Sequence, residues 1–268
     1  MLPFDLHTHT SFSFDGEYGA EEMVFRAYEL GIKHYAITDH LEINEYHLPE
    51  FRYPEILKEA KAVIPGLIEK YKGKIDLIRG IELGQPVHDI ELAEKLLSEG
   101  QYDYIIGSCH MIRGYQDFYF LDYDENNPVK LLDVYFDELI EMAEWGKFDT
   151  LAHITYPLRY IVGDKGKKID MTRYEKQLER LFSLIIERNI ALEINTSGLR
   201  QNIGETLPGE ELLRKYYNMG GRLITMGSDA HKPEDIGKGI AEGIALAKKI
   251  GFSAVSVYKN RKPIMIEI

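Results

Sequence analysis

The sequence predicts an α/β fold in which a parallel sheet closes, or nearly closes, into a barrel. Seven apolar, strand-like segments alternate with amphipathic helical segments along the 268 residues, and no low-complexity linker interrupts them. Such alternation is typical of parallel sheets whose crossover helices cover the strands. In addition, histidines and carboxylates recur where the predicted strands end. We therefore expect one barrel-like domain spanning residues 1–268.

The predicted elements follow from periodicity and from Gly and Pro positions. The first strand ends in residues 5–10, and six further strands are predicted at 34–40, 75–83, 102–107, 149–153, 190–195 and 223–226. Helices are predicted at 21–30, 55–71, 87–97, 129–145, 174–188 and 210–219, and a further helix is predicted to begin at Pro233 and stop at Gly251. Pro65 is expected to kink or divide its helix. A short strand at 254–258 and a tail at 263–268 complete the chain.

Composition limits the classes of partner. Hydrophobic residues make up 44% of the chain, which is ample for a core, and no apolar run approaches the ~18 residues of a membrane span. Since no basic segment precedes the first strand, we predict a cytoplasmic location without a membrane partner. The net charge of −12 disfavours nucleic acid but allows a small anion wherever pocket cations reverse the local sign. Oligomeric state stays open.

The single cysteine, Cys109, excludes an internal disulfide and a multi-cysteine zinc site. In an extended chain it points away from His110, so we interpret it as a small core residue. Any metal would therefore need histidine and carboxylate ligands.

Potential ligands gather at the carboxyl ends of the predicted strands. Six of the nine histidines lie there, together with two carboxylates, and these residues are His7, His9, His40, His110, His153, His231, Glu82 and Asp229. In a βα barrel all of these ends open on one face, where active sites occur. The mixture of imidazole and carboxylate suits zinc, iron or manganese. The other three histidines, His34, His47 and His88, are assigned structural roles.

Glu82 carries a separate signal because it is embedded in an apolar strand. A buried glutamate is rare unless it is paired or bound to metal, so a metal ligand is favoured over a salt bridge. An aromatic loop at 111–127 is long enough to suggest that it covers a site.

Motifs in a defined order resemble the polymerase-and-histidinol-phosphatase (PHP) metallophosphoesterases over essentially the whole chain. They are His7-Thr8-His9-Thr10 with Asp15, Thr38-Asp39-His40, Gly80-Ile81-Glu82, Ser108-Cys109-His110, Ala152-His153 and Gly227-Ser228-Asp229-Ala230-His231. The resemblance implies a distorted seven-stranded (β/α) barrel, similar to a TIM barrel, that holds two or three divalent metal ions.

The resemblance also implies a ligand set for each ion. The first ion would be held by His7, His9, Glu82 and Asp229, and the second by Glu82, His110 and His153. Asp15, His40 and His231 would hold the third. Some relatives have histidine in place of Asp15, which leaves occupancy of the third position open.

Within the family, two stretches are most similar to the monofunctional histidinol-phosphate phosphatases: His153 to Arg159, and Glu193 to Arg200. Arg159 and Arg200 match positions that grip substrate phosphate there, and a guanidinium suits that role because it presents paired donors. The alternative is that both form surface salt bridges. The implied reaction is hydrolysis of L-histidinol phosphate to L-histidinol and phosphate in histidine biosynthesis, with Asp229 or His231 handling protons.

Three alternatives remain at this point. The chain could hydrolyse another small phosphate or a nucleotide within the same family. It could be a non-catalytic metal-binding module associated with a DNA polymerase, which the acidic net charge disfavours. A barrel that has lost its metals is disfavoured because every expected ligand position carries a ligand-type residue.

Overall fold

The computed structural model describes residues 2–268 and contains a nearly closed parallel barrel. Its strands are β1 (Phe4–Asp5), β2 (His34–Ile37), β3 (His40–Glu42), β4 (Asp76–Gly84), β5 (Tyr104–Ser108), β6 (Thr150–Leu151), β7 (Ala191–Asn195) and β8 (Ile224–Gly227). The order around the barrel is β1-β2-β4-β5-β6-β7-β8. Because β2 and β3 both pair with β4, they occupy one strand position in two pieces. The seven-stranded barrel predicted from sequence is therefore confirmed.

The barrel closes between the first and last strand positions. The Leu6 amide donates to the Met226 carbonyl at 3.1 Å, and the Asp229 amide donates to the His7 carbonyl at 2.8 Å. Thr8 and Ala230 form a parallel bridge just beyond these bonds. The seam thus brings the carboxyl ends of β1 and β8 side by side.

Gly227 permits this close approach. A Cβ atom at that position would lie 2.2 Å from the Cβ of His7, so any side chain would push the two strands apart.

Gly227→Ala is expected to destabilise the fold by about 1–3 kcal/mol, as overpacked core sites do, and urea unfolding would measure the change. Gly66→Ala is the matched control because a Cβ there meets nothing within 4 Å inside α2. It should stabilise by about 0.5–1 kcal/mol, and an equal effect of both changes would contradict the seam argument.

Eight helices surround the strands or connect them in the described residues 2–268. They are α1 (Ala20–Glu29), α2 (Tyr53–Tyr71), α3 (Ile90–Glu99), α4 (Pro128–Trp145), α5 (Tyr156–Leu158), α6 (Glu175–Glu187), α7 (Glu210–Asn218) and α8 (Ile240–Ile250). The ends of α4 show how local sequence sets the bounds. The Asn127 side chain accepts from the Val129 amide at 2.9 Å, Pro128 takes the first helical position, and Gly146 ends the helix at φ 67°. None of the helices in this part of the chain is long and apolar enough to cross a membrane.

Two predictions about proline meet different outcomes. Of the two effects predicted for Pro65, a kink or a division, the division does not occur, because α2 runs unbroken on either side of it. The prediction that the last helix begins at Pro233 is wrong, because Pro233–Asp235 form only a 3₁₀ turn and α8 begins at Ile240. Gly237 and Gly239 adopt positive φ, and the buried carboxylate of Asp5 accepts from the Gly237 amide at 2.8 Å. Because of this contact with the first strand, the chain enters the helix only after Gly239.

The C-terminal segment forms a hairpin of β9 (Ala254–Lys259) and β10 (Lys262–Glu267), rather than one strand with a tail. Asn260 and Arg261 turn the chain at positive φ. The ring of Tyr258 stacks on Tyr104 with centroids 5.2 Å apart, and its hydroxyl donates to the carbonyl of Asp149. Since Tyr104 and Asp149 lie at the amino ends of their strands, the hairpin covers the barrel end opposite the ligands.

Candidate active site

The barrel brings all nine predicted metal-ligand residues to its carboxyl-terminal face. His7 and His9 follow β1, and His110 and His153 follow β5 and β6. The remaining ligands are Glu82 within β4, His40 at the start of β3, Asp229 and His231 after β8, and Asp15 in the loop after His9. Most of these side chains are buried, whereas Asp15 and His231 are 41% and 32% exposed. The two more exposed groups therefore lie at the outer edge of the cluster.

Glu82 lies at the centre. Its Oε2 is 3.2 Å from His7 Nε2, 3.6 Å from His9 Nε2 and 2.9 Å from His40 Nδ1. Its Oε1 is 2.9 Å from His153 Nε2 and 3.3 Å from His110 Nε2. Each carboxylate oxygen thus faces a different set of imidazoles, which is the arrangement that a carboxylate shared by two cations needs.

Several combinations of side chains place three ligand atoms within 4.8 Å of one another. These groups are His7, His9 and Glu82; Glu82, His110 and His153; His7, His153 and Asp229; His9, His40 and His231; and His40, Glu42 and His110. The first two coincide with cores of the first two predicted ligand sets.

The third predicted set is looser. Asp15 approaches His231 Nε2 at 3.1 Å and His40 Nε2 at 3.7 Å. Asp15 is absent from the three-atom groups within 4.8 Å in the described residues.

Several polar atoms inside the cluster are buried without a partner, and they indicate whether these residues suit metal ions. His7 Nε2, His9 Nε2, His40 Nδ1 and Glu82 Oε2 are buried without a hydrogen-bond partner. Such atoms are rare in folded proteins and call for an explanation such as a bound ion. A cation would satisfy all four, and a mixed nitrogen and oxygen donor set fits zinc, iron or manganese.

Outer partners hold several imidazoles in place. His7 Nδ1 lies 2.6 Å from Glu193 Oε1, His9 Nδ1 lies 3.1 Å from Ser13 Oγ, and His110 Nδ1 lies 2.9 Å from Glu42 Oε1. In each ring the opposite nitrogen, Nε2, is left to point into the cluster. Partners of this kind orient metal-binding histidines and set their tautomer.

Two of these outer partners were not identified from sequence. Glu42 lies between Leu41 and Ile43, so it carries the same signal as Glu82, a carboxylate in an apolar stretch. Glu193 stands in the apolar strand β7 and belongs to a motif, but sequence alone indicates no contact with His7. The contact between Glu193 and His7 depends on how the closed barrel places β7 relative to β1.

The charges in the cluster are strongly coupled. Burial disfavours protonation of His110, yet the carboxylates of Glu42 and Glu82 outweigh it and raise its pKa to about 10. Burial and the nearby His231 and His40 lower the pKa of His9 to about 3. Protons on some histidines thus balance the carboxylates, and a bound cation would displace those protons.

A cavity of about 840 Å³ opens above the cluster. Its lining combines aromatic and charged side chains and includes Phe14, Phe51, Met111, Asp117, Tyr119, Phe120, Tyr156, Tyr160, Arg159 and Arg200. The predicted covering segment, 111–127, contributes four of these residues, so it does border the site.

Both predicted phosphate-binding arginines line this cavity. Arg159 donates from Nε to Gln201 Oε1 at 2.8 Å and from Nη2 to Ser197 Oγ at 3.0 Å, and Nη2 lies 3.9 Å from Asp229 Oδ2. Its side chain is 13% exposed. This placement does not fit the alternative of a surface salt bridge.

Arg200 donates from Nη2 to the Ser228 carbonyl at 2.8 Å. Its Nε lies 3.9 Å from Asp235 Oδ1, and its buried Nη1 has no partner. Arg200 lines the cavity beside the metal-type cluster, and a guanidinium in that position is suited to an anion.

The remaining predicted residues lie apart from the cluster. His34 pairs with Asp76 at 3.0 Å and His88 with Glu138 at 2.7 Å, while the ring of His47 packs against Tyr46. Cys109 is buried in the hydrophobic core, as predicted. None of these side chains joins a metal-type group in residues 2–268.

Comparison with known proteins agrees with this geometry. The PHP domain family matches residues 5–197. A probable histidinol-phosphatase of Thermotoga maritima is 32% identical over 94% of both chains. A probable phosphatase of Aliivibrio fischeri is 25% identical over 88% of this chain and 81% of its own. The structure of histidinol phosphate phosphatase from Lactococcus lactis, complexed with zinc, L-histidinol and phosphate, shares the fold with a TM-score of 0.81, at 23% identity and 98% coverage of both chains. The barrel, the order of its ligand-bearing strand ends and the family match together place this chain in the PHP family.

Proposed function

We propose that this protein is a metal-dependent phosphatase that hydrolyses L-histidinol phosphate to L-histidinol and phosphate in histidine biosynthesis, with residues 1–268 acting as one domain. The observation that carries the proposal is that Arg159 and Arg200 both line the cavity beside the cluster centred on Glu82. A metal-type cluster alone suits many hydrolases. Two guanidinium groups next to it favour a substrate with a phosphate.

The proposed metal ligands are those that the resemblance implies. His7, His9, Glu82 and Asp229 would hold one ion, and Glu82 would share a second with His110 and His153. When bound, such ions supply Lewis-acid charge and lower the pKa of water towards about 7. Asp15, His40 and His231 would hold a third at the open edge of the cluster.

Arg159 and Arg200 would orient the phosphoryl group. The Arg200 guanidinium has Nη1 free, and Arg159 is held in a fixed direction by Gln201 and Ser197. A planar fork that is already positioned loses little freedom on binding an oxyanion, so more of the interaction contributes to affinity. The two side chains would also balance negative charge that develops during hydrolysis.

Asp229 and His231 are the proposed proton-handling groups. Asp229 Oδ2 lies 3.3 Å from Asn195 Nδ2 and faces Arg159, and nearby histidines keep the pKa of this carboxyl well below its usual range despite burial. Asp229 is therefore ionised and lies beside the proposed phosphate position, although its low pKa makes it a weak base. His231 borders the cavity and is partly exposed, so it can exchange protons with solvent.

Replacement of either arginine tests the proposal. Arg159→Ala and Arg200→Ala are each expected to lower kcat/KM for histidinol phosphate about tenfold to a hundredfold, because each removes charge-assisted hydrogen bonds of ~1.5–3 kcal/mol. Arg→Lys should restore only part of the loss, since an ammonium lacks the planar fork. Phosphate-release kinetics, with metal content measured in parallel, would show both effects.

Arg173→Ala is the control because Arg173 pairs with Asp133 on the outer surface, where it is 55% exposed. It should leave kinetics and metal content unchanged. Wild-type kcat/KM in both cavity variants would mean that phosphate binds elsewhere and would remove the main support for the substrate.

A second candidate is a phosphatase for another small phosphomonoester, which is favoured by the similarity to the probable phosphatase of Aliivibrio fischeri. A panel of phosphomonoesters, including nucleotides, separates the candidates. We expect histidinol phosphate to have the highest kcat/KM. A clear preference for another member of the panel would replace the substrate while retaining the reaction.

A further inference from the structure

Glu42 is a buried carboxylate that touches two members of the cluster from outside. It ends β3 and is 1% exposed. Its Oε1 lies 2.9 Å from His110 Nδ1 and 3.3 Å from His40 Nδ1. No lysine or arginine pairs with it in the described residues 2–268, so the basic side chains that it contacts are these two imidazoles.

Neighbouring residues hold this carboxylate in place by a hydrogen bond and by leaving space for it. Gln85 donates from Nε2 to Glu42 Oε2 at 2.7 Å, and its Oε1 accepts from the backbone amide of His110 at 3.1 Å. Gln85 itself has a left-handed backbone conformation at φ 47°. At Gly84 a Cβ would come within 1.9 Å of Glu42 Oε2, so only glycine leaves room for the carboxylate there.

The contact with Glu42 determines which nitrogen of His110 faces the cluster. When Nδ1 carries a proton and donates it to Glu42, the lone pair of Nε2 points inward. There, Nε2 lies 3.3 Å from Glu82 Oε1 and 3.4 Å from His153 Nε2. The inward nitrogen therefore belongs to the group formed with Glu82 and His153.

We infer that Glu42 is a positioning residue that holds His110 as an Nε2 metal ligand and, by touching His40 as well, links the second and third metal positions. The inference rests on the proposed metal centre and not on the substrate. An outer carboxylate of this kind fixes the ring orientation and increases the basicity of the ligand, and its loss typically lowers metal affinity 10–100-fold.

Zinc binding by Glu42→Gln tests this role without an activity measurement. The amide keeps the shape and one acceptor oxygen but removes the charge. In the full-length chain reconstituted with zinc, titration against a chromophoric chelator should show one zinc position weakened about 10–100-fold, while the tightest position is retained. Zinc affinities equal to those of the wild type at every position would overturn the inference.

Histidine side-chain ¹⁵N spectra of the zinc-loaded wild type provide a second readout. We expect His110 to carry its proton on Nδ1 and zinc on Nε2. The group of His40, Glu42 and His110 also satisfies the distances for an ion of its own. Zinc on Nδ1 of His110 would mean that this nitrogen has no proton to donate to Glu42, and it would overturn the positioning role.

Glu138→Gln is the matched control. Glu138 is also a buried glutamate paired with a histidine, 2.7 Å from His88 Nε2, but neither residue lines the cavity. It should lower stability and leave zinc affinity unchanged. If Glu42→Gln does not fold, Gln85→Met serves as a second variant. It removes the amide that donates to Glu42 but keeps the charge of Glu42, so it should weaken the same zinc position to a smaller extent.

The outcomes remain separable from those of the proposed function. A protein that hydrolyses a different phosphomonoester would still show the zinc and ¹⁵N results expected here. Unchanged zinc binding in both Glu42→Gln and Gln85→Met, in a protein that hydrolyses histidinol phosphate, would reject the role of Glu42 alone.

Discussion

Removal of metal ions with a strong chelator is expected to abolish phosphatase activity and to lower Tm. The physical reason is the density of ligands: Glu82 and Asp229 face buried imidazoles whose inward nitrogen atoms have no other partner. A ligand that binds only the folded state stabilises it by mass action, so its removal withdraws that contribution. Calorimetry and phosphate release on the same sample would measure both changes.

Readdition of zinc, iron or manganese serves as the control for chelation. Recovery of both activity and Tm by one of these ions would identify a metal that the site uses. Since several histidines have raised pKa values that depend on nearby carboxylates, as for His110, metal uptake should also release protons. Full activity in a preparation shown to be free of metal would contradict the mechanism.

Glu82→Gln is expected to have the largest effect of any single substitution. One carboxylate faces five imidazoles through its two oxygens, so the amide removes the negative charge that two ions would share while nearly keeping the shape. An outer partner typically contributes 10–100-fold, so loss of this central ligand should lower kcat/KM by more than about 100-fold. Metal content should fall in parallel, which elemental analysis would measure.

The matched control lies on the same strand. Asp76 begins β4, is 41% exposed and pairs with His34 at 3.0 Å at the opposite end of the barrel. Asp76→Asn makes the same change from carboxylate to amide outside the cavity and should leave metal content and turnover unchanged. Normal metal content and turnover in Glu82→Gln would rule out the shared-ligand role.

The elements of this fold follow largely from local sequence. The helix predicted at 129–145 is Pro128–Trp145 in the structure, because its Asn, Pro and Gly signals lie within a few residues of its ends. Strand positions follow from apolar runs of the right length. Potential ligands stand immediately after those runs, so their convergence could be inferred from the geometry of parallel strands alone.

Other features depend on contacts between distant residues. The last helix begins at Ile240 rather than at Pro233 because Asp5 binds the Gly237 amide, 232 residues away in sequence. The final segment becomes a hairpin because Tyr258 and its neighbours pack against the amino-terminal end of the barrel. The residues in these contacts are far apart in sequence, so no local sequence pattern could predict them.

The same distinction applies to the site. The sequence by itself determined which residue types stand at the strand ends, and hence a cluster of histidine and carboxylate. Only the tertiary structure decided that Glu42 meets His110, that Glu193 meets His7 and that Arg200 lines the cavity with one guanidinium nitrogen left without a partner. Periodicity specifies the direction of a side chain from its own strand, whereas the partner that it meets depends on how the barrel closes.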